Sequence, residues 1–296
     1  MSKKMTFLPK SELLTLEELA EIAHKFIDFG VEKVRISGGE PLVRKDIMRL
    51  FADISPRLKN DLSELTLTTN GTQLDQHADQ LAALGIKRIN LSLDSLNAET
   101  FRKLARRNVL PQVLSGIQAA KEAGLHIKLN TVLLPENLNE IPDIIRWAHG
   151  QGFDMSLIEI MPMGQTDTQR RKQFVPMTRA KEMLAQQFTL EPMVTSKRLS
   201  GPARFSYIPE TRGKLGFISP LTNNFCAGCN RVRLTCTGRI YMCLGQEDHI
   251  DLRKTLRNGG DIETQITRAV DMKPEAHDFE ISDTPSLQRH MSVTGG

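Results

Sequence analysis

The chain has 296 residues, 40% hydrophobic and 25% charged, a balance that supports a buried core and excludes a wholly disordered polymer. A formal charge of +4 is too small for a nucleic-acid coat and suits an anionic small molecule. No run of about eighteen apolar residues occurs, and none follows the N-terminal lysines; the expectation is a soluble, cytoplasmic protein with neither membrane nor nucleic-acid partner.

In chain order, Thr15 and Glu18 make a capping box, Leu16, Leu19, Ala23 and Phe26 recur at helical spacing, and Gly30 supplies the left-handed stop. A strand at 33–37 follows. The same join recurs at Gly85 before 88–93, at Gly124 before 127–132 and at Gly152 before 154–160. With 64–69, five strands alternate with helices, which predicts a parallel α/β sheet or barrel.

Each strand alternates. Val34 and Ile36 interleave with Arg35 and Ser37; Leu65 and Leu67 with Thr66 and Thr68; Leu91 and Leu93 with Asn90, Ser92 and Asp94. Ile127 and Leu129 interleave with Lys128 and Asn130, and Ile158 and Ile160 with Glu159 and Met161. A period of two gives an apolar face for outer helices and a polar face, best housed in a barrel with a wet interior. A flat sheet with one solvated side is the alternative. Arg35 and Lys128 fall on the polar face and call for an anion, which Asp94, Glu159 or a ligand would provide.

After Met161, residues 164–172 read as a loop, 178–188 as a helix capped by Thr178, and 204–208 and 214–218 as strands joined at 209–213. Segments 231–235 and 240–242 pair across 236–238. Residues 251–257 and 262–270 look helical, and composition alone makes the tail beyond Met272 disordered.

All four cysteines fall between 225 and 245. Cys226 and Cys229 form a C-x2-C pair, Cys243 follows and Cys236 lies between, a spacing that reads as a metal or iron-sulfur site rather than a disulfide framework. Gly38-Gly39-Glu40-Pro41, Thr68-Thr69-Asn70-Gly71 and Ser92-Leu93-Asp94-Ser95 end successive strands at the rim where α/β barrels place active sites. Arg231 and Arg233, two apart on an expected strand, project from one face roughly 6–7 Å apart and suit a phosphate.

Taken together, Gly38-Gly39-Glu40-Pro41, Thr68-Thr69-Asn70-Gly71, Cys226-x2-Cys229-Asn230-Arg231-Val232-Arg233, Cys243 and Gly295-Gly296 resemble the MoaA family. These are the radical S-adenosylmethionine (SAM) GTP 3′,8-cyclases of molybdenum cofactor (molybdopterin) biosynthesis, lyases. Gly201-Pro202-Ala203 and Gly216-Phe217-Ile218-Ser219 also match. The resemblance implies a partial TIM-type barrel with its first strand missing, residues 1–162. It also implies a smaller C-terminal α+β region at 163–296 that binds iron-sulfur and GTP and ends in a double-glycine tail.

Carried over residue by residue, the resemblance implies a C-terminal 4Fe-4S cluster on Cys226, Cys229 and Cys243. GTP would be held by Arg35, Thr68, Lys128, Arg231, Val232 and Arg233. SAM would be held by Gly39, Ser92 and Met161, and Gly295 and Gly296 would be catalytic. The family's product is (8S)-3′,8-cyclo-7,8-dihydroguanosine 5′-triphosphate, its pathway partner is cyclic pyranopterin monophosphate synthase (MoaC), and a homodimer is expected. Two features depart from the pattern. No cysteine precedes Cys226, so the N-terminal 4Fe-4S cluster of the family has no ligands here and this chain alone is expected to be inactive. Cys236 has no family counterpart, which leaves a second reading: a non-catalytic GTP-binding protein with a structural four-cysteine zinc site.

Overall fold

The computed structural model describes residues 8–163, 170–194, 201–223, 225–277, 279, 287, 289 and 291–294. Helix α1 (Leu16–Asp28) starts as expected: the Thr15 hydroxyl accepts from Glu18 N, and Thr15 N donates to the Glu18 carboxylate at 2.8 Å. Strand β1 (Lys33–Ile36), helix α2 (Ile47–Ile54), β2 (Glu64–Thr69), α3 (Leu74–Ala83) and β3 (Arg88–Ser92) follow. Then come α4 (Ala98–Ala105), α5 (Leu110–Glu122), β4 (His126–Val132), α6 (Ile141–Gly150) and β5 (Asp154–Ile158).

Beyond residue 162 the chain forms α7 (Arg170–Gln173), α8 (Met177–Leu184), β6 (Glu191–Pro192), β7 (Arg204–Ile208) and β8 (Gly213–Ile218). The eight strands make one sheet in the order β1-β2-β3-β4-β5-β8-β7-β6, so the sheet continues across residue 162. Every pairing from β1 through β5 to β8 is parallel, and β7 and β6 add antiparallel strands at the edge. A run of parallel strands with helical crossovers is the partial-barrel architecture expected.

The apolar faces meet the helices in one core. Leu67, Ile89, Leu91, Ile127, Leu129, Met155 and Leu157 are fully buried there, each contributing roughly 1.5–3 kcal/mol by leaving water. In β5 the alternation is the reverse of the expectation. Met155 is level with Leu129 and so faces the helices, which puts Ser156 and Ile158 on the cavity face and Glu159 outside. Two isoleucines in a short strand mimicked a core face, while Met155 and Leu157 had already filled it.

Glu159, expected as a partner for the cavity cations, is instead completely buried on the outer side. Its carboxylate accepts from Met177 N at 2.8 Å, from the Thr222 hydroxyl at 2.5 Å and from Leu221 and Thr222 N at 3.2 Å. It thereby serves the N-terminus of α8, which begins at Met177 after Pro176 and has no side-chain cap, so Thr178 is not the cap.

The remaining elements are β9 (Arg233–Leu234), β10 (Arg239–Tyr241), β11 (His249–Asp251), α9 (Leu252–Arg257), α10 (Ile262–Asp271) and α11 (Met291–Thr294). β9 and β10 pair across the expected turn, but the strand starts at Arg233, so Arg231 lies in the preceding loop rather than on the same strand. A second core joins Ile22 and Leu14 to Ile240, Met242, Leu252, Ile262 and Ile266. Helix α1 therefore lies between the two cores, with Leu16, Ala20 and Ile27 on the barrel side. Arg257 pairs with both oxygens of Glu18, at 2.7 and 2.9 Å, and Lys25 with Glu263 at 2.8 Å, across the same seam. This seam fixes the cysteine hairpin beside the barrel. No helix among the described residues is long and apolar enough to cross a membrane.

Candidate active site

The rim begins where β1 ends. At Gly38 and Gly39 an added Cβ would meet nothing within 4 Å, and Gly38 has φ +146°, so the backbone lies bare to open space. Glu40 then stitches this loop to the end of β2: one oxygen accepts from Leu42 N (3.1 Å) and the Thr69 hydroxyl (2.8 Å), the other from Asn70 N (2.6 Å). Ser92 is exposed at the end of β3. Asp94, just beyond it, accepts from Val132 N at 2.8 Å, and burial pushes its carboxyl up to about 6. No cation among the described residues pairs with it, so Asp94 does not answer the charge on Arg35 or Lys128.

The polar strand faces line the cavity in register. Thr68 is level with Asn90, Asn90 with Lys128, and Asn130 with Ser156, which faces Gly216 on β8. A Cβ at Gly216 would stand 2.4 Å from the Ser156 hydroxyl and 3.0 Å from Phe205, so only glycine admits β8 here. The hydroxyls of Thr68 and Ser156 are buried and have no hydrogen-bond partner among the described residues. Such orphans are costly in a finished core and fit a wall that receives a polar ligand.

Lys128 stands on this wall with its ammonium 4.9 Å from the Phe205 ring centre. Burial first, then Arg88 and Arg35, lower it to about 8. Arg35 is reached by solvent yet enclosed by protein, and its guanidinium is lowered by that enclosure, then by Arg88 and, more weakly, by Arg231. Arg233 is lowered to about 10, chiefly by burial and then by Arg231, with Cys229 and Cys243 opposing and Arg35 adding a further push down. Cations from β1, β4 and the cysteine hairpin thus share one field, although nearly 200 residues of chain separate Arg35 from Arg231. None of Arg35, Lys128, Arg231 and Arg233 makes an ion pair with a carboxylate among the described residues. Val232 differs, for its side chain packs on the second core.

Cys226 opens a single 3₁₀ turn, Cys226–Gly228, and Cys229 closes it, its N–H donating to Cys226 O at 2.9 Å. Burial pushes the Cys229 thiol up, but Arg231 and, next in strength, Lys273 outweigh it and hold the thiol below its usual range. The Arg231 guanidinium lies 3.6 Å from Cys229 Sγ and stacks 5.2 Å from Phe225. Gly245 N donates to Cys243 Sγ at 3.4 Å. Lys273, for which the sequence offered no sign, ties the two cysteine arms. Its ammonium donates to Met242 O at 2.8 Å and Arg231 O at 3.1 Å and lies 3.8 Å from Cys229 Sγ.

Cys226, Cys229 and Cys243 are half-buried, whereas Cys236 is exposed in the β9–β10 turn. Among the described residues no group of three His, Cys, Asp or Glu side chains is placed to hold a single metal ion. Met161 sits at the rim and its O accepts from Met163 N, two residues before the point where Leu287 of the tail bridges to Met163. Gly295 and Gly296 lie outside the described residues; Thr294, just before them, is buried with its hydroxyl unpartnered among the described residues.

Residues 2–148 match the Radical SAM superfamily. The structure resembles Streptococcus suis SuiB bound to S-adenosylmethionine, with TM-score 0.60 at 14% identity over 95% of this chain and 70% of that one. SuiB itself gives 0.58, covering 95% and 71%. Fold and family model together place the chain among the radical SAM enzymes. Residues 153–279 match Molybdenum Cofactor Synthesis C. The GTP 3′,8-cyclases of Brucella canis and Brucella ovis are each 53% identical over 304 aligned positions, spanning 100% of this chain and 88% of theirs. The chain belongs to the GTP 3′,8-cyclase family of molybdenum cofactor biosynthesis.

Proposed function

We propose that this chain holds GTP in the polar cavity and positions it for the family's cyclisation to (8S)-3′,8-cyclo-7,8-dihydroguanosine 5′-triphosphate, the substrate of cyclic pyranopterin monophosphate synthase. One observation carries the reading: Arg35, Lys128, Arg231 and Arg233, which make no ion pair among the described residues, share one electrostatic field in a cavity whose wall carries the unpartnered Thr68 hydroxyl. A triphosphate answers all four, and guanidinium forks grip its oxygens bidentately. Val232 would contribute backbone contacts between the two arginines.

The donor chemistry fits a 4Fe-4S cluster on Cys226, Cys229 and Cys243, since these three thiols are half-buried beside Arg231, Arg233 and Lys273, which offset thiolate charge. The bare backbone at Gly38 and Gly39, with Ser92 and Met161 along the rim, fits SAM. SAM bound there would supply the hydrogen-atom abstraction once reduced by a cluster that these residues do not themselves ligate. The residues of this chain orient the ribose and guanine, neutralise the triphosphate and exclude water, and Gly295 and Gly296 take part in catalysis. With no cysteine before Cys226, these 296 residues are expected to make no 5′-deoxyadenosine from SAM.

Calorimetric titration tests the substrate. GTP should bind the purified chain, and Arg231→Ala and Arg35→Ala should each weaken it about 10- to 100-fold, as loss of a charge-assisted hydrogen bond implies. Equal affinity in wild type and both variants would remove the assignment.

A further inference from the structure

Composition makes the C-terminal tail look disordered, yet Arg289 is only 8% exposed. Its guanidinium donates to Leu244 O at 2.9 Å and Gln246 O at 3.0 Å, pairs with Glu247 at 2.7 Å, and lies 3.9 Å over the Tyr241 ring. All four partners belong to one short stretch, 241–247, which carries Cys243. Two residues earlier in the tail, Leu287 is buried and bridges in parallel to Met163, beyond the end of β5 at the barrel rim. The described tail therefore has two fixed points, one on the rim and one on the cysteine loop.

We propose that Arg289 is a positioning residue: a clasp that fastens the C-terminal segment to the Cys243 loop and holds the two in one arrangement at the cavity mouth. Nothing in the strand pattern or the cysteine spacing assigns it this task. A guanidinium suits it for three reasons. Its planar fork reaches two carbonyls and a carboxylate together, its flat face stacks on Tyr241, and its charge persists at any working pH. Lysine offers one charged point in place of the fork and stacks less well. The coupling is mutual: a segment that is held only while the 244–247 carbonyls keep their places must in turn hold those carbonyls. Because Gly245 donates to Cys243 Sγ within the same loop, the clasp also fixes the approach of that thiol.

Hydrogen exchange read by mass spectrometry on the whole chain tests this in wild type, Arg289→Lys, Arg289→Met and Glu247→Gln. Arg289→Met should speed exchange about tenfold or more in both 241–247 and 287–294, the scale of losing charge-assisted hydrogen bonds. Strand 64–69 should not change. Arg289→Lys should recover part of the protection, and Glu247→Gln should loosen the tail from the loop side. Unprotected 287–294 amides in wild type, or faster exchange in the tail with an unchanged loop, would overturn the clasp. Should Arg289→Met fail to fold, the lysine and Glu247→Gln variants decide the matter by the same two segments.

A second arm rests on the substrate proposed above. The GTP dissociation constant should rise several-fold in Arg289→Met and return part way in Arg289→Lys, a rescue that a residue needed only for folding would not show as a graded response. An unchanged constant would remove the role at the cavity mouth. If wild type binds no GTP, the substrate assignment falls, and exchange alone still decides the clasp.

Discussion

Lys128 shows how one side chain reports the chemistry around it. Its ammonium is pushed down to about 8, by burial first and then by Arg88 and Arg35, which outweigh the opposing pull of Asp154. A bound triphosphate would restore the proton, giving the complex a higher value than the free protein. Below pH 8 both forms are already protonated and affinity is constant. Above it, each binding event must take up a proton, so GTP affinity should fall as pH rises, up to about tenfold per unit, until the bound value is reached. Titrations from pH 7 to 9.5 check this. Lys128→Arg, which stays charged, should flatten the profile, and a flat wild-type profile would place Lys128 away from the phosphates. Arg35 and Lys128 were legible from sequence as inward cations because period two is unambiguous in β1 and β4. Asp94 and Glu159, offered beside a ligand as candidate partners, are occupied elsewhere, and no sequence pattern tells that Val132 N or the start of α8 has already claimed a carboxylate.

At the scale of elements, the parallel strands and their joins were readable because each join carries a glycine and each strand alternates. The exceptions have local causes. In β5, Met155 and Leu157 face the helices while Ile158 turns to the cavity, because register with β4 overrides the apolar count. The β9–β10 hairpin was visible, yet its strand is two residues long, so Arg231 sits beside Cys229 rather than in line with Arg233. Lys273 was invisible: it follows α10, thirty positions after Cys243, and only packing brings it back. Replacing it with methionine should leave Arg231 O and Met242 O unsatisfied and loosen the cysteine arms by roughly 1–3 kcal/mol. After anaerobic reconstitution, Lys273→Met should retain less than about half of the iron bound by wild type, while circular dichroism stays unchanged. Full iron retention would show that the thiols keep their places without it.

For the whole molecule, the polar cavity, the cysteine hairpin and the tail are three separate stretches of sequence that the fold joins. Helix α1 is the joint, with one face in each core and Glu18 serving both its own cap and Arg257. The sequence shows both cores as apolar periodicity, but not that Ile22 and Leu14 belong to the second, because contacts spanning more than 200 residues leave no local trace. On the proposed function, the hairpin holds a cluster and presents it to GTP. Electron paramagnetic resonance of the reduced, reconstituted chain tests it most directly, with and without GTP. The predicted result is a 4Fe-4S signal that is lost in Cys226→Ala, Cys229→Ala or Cys243→Ala, survives in Cys236→Ala and shifts when GTP is added. A colourless zinc protein that needs Cys236, or a cluster signal that GTP leaves unchanged, would contradict it.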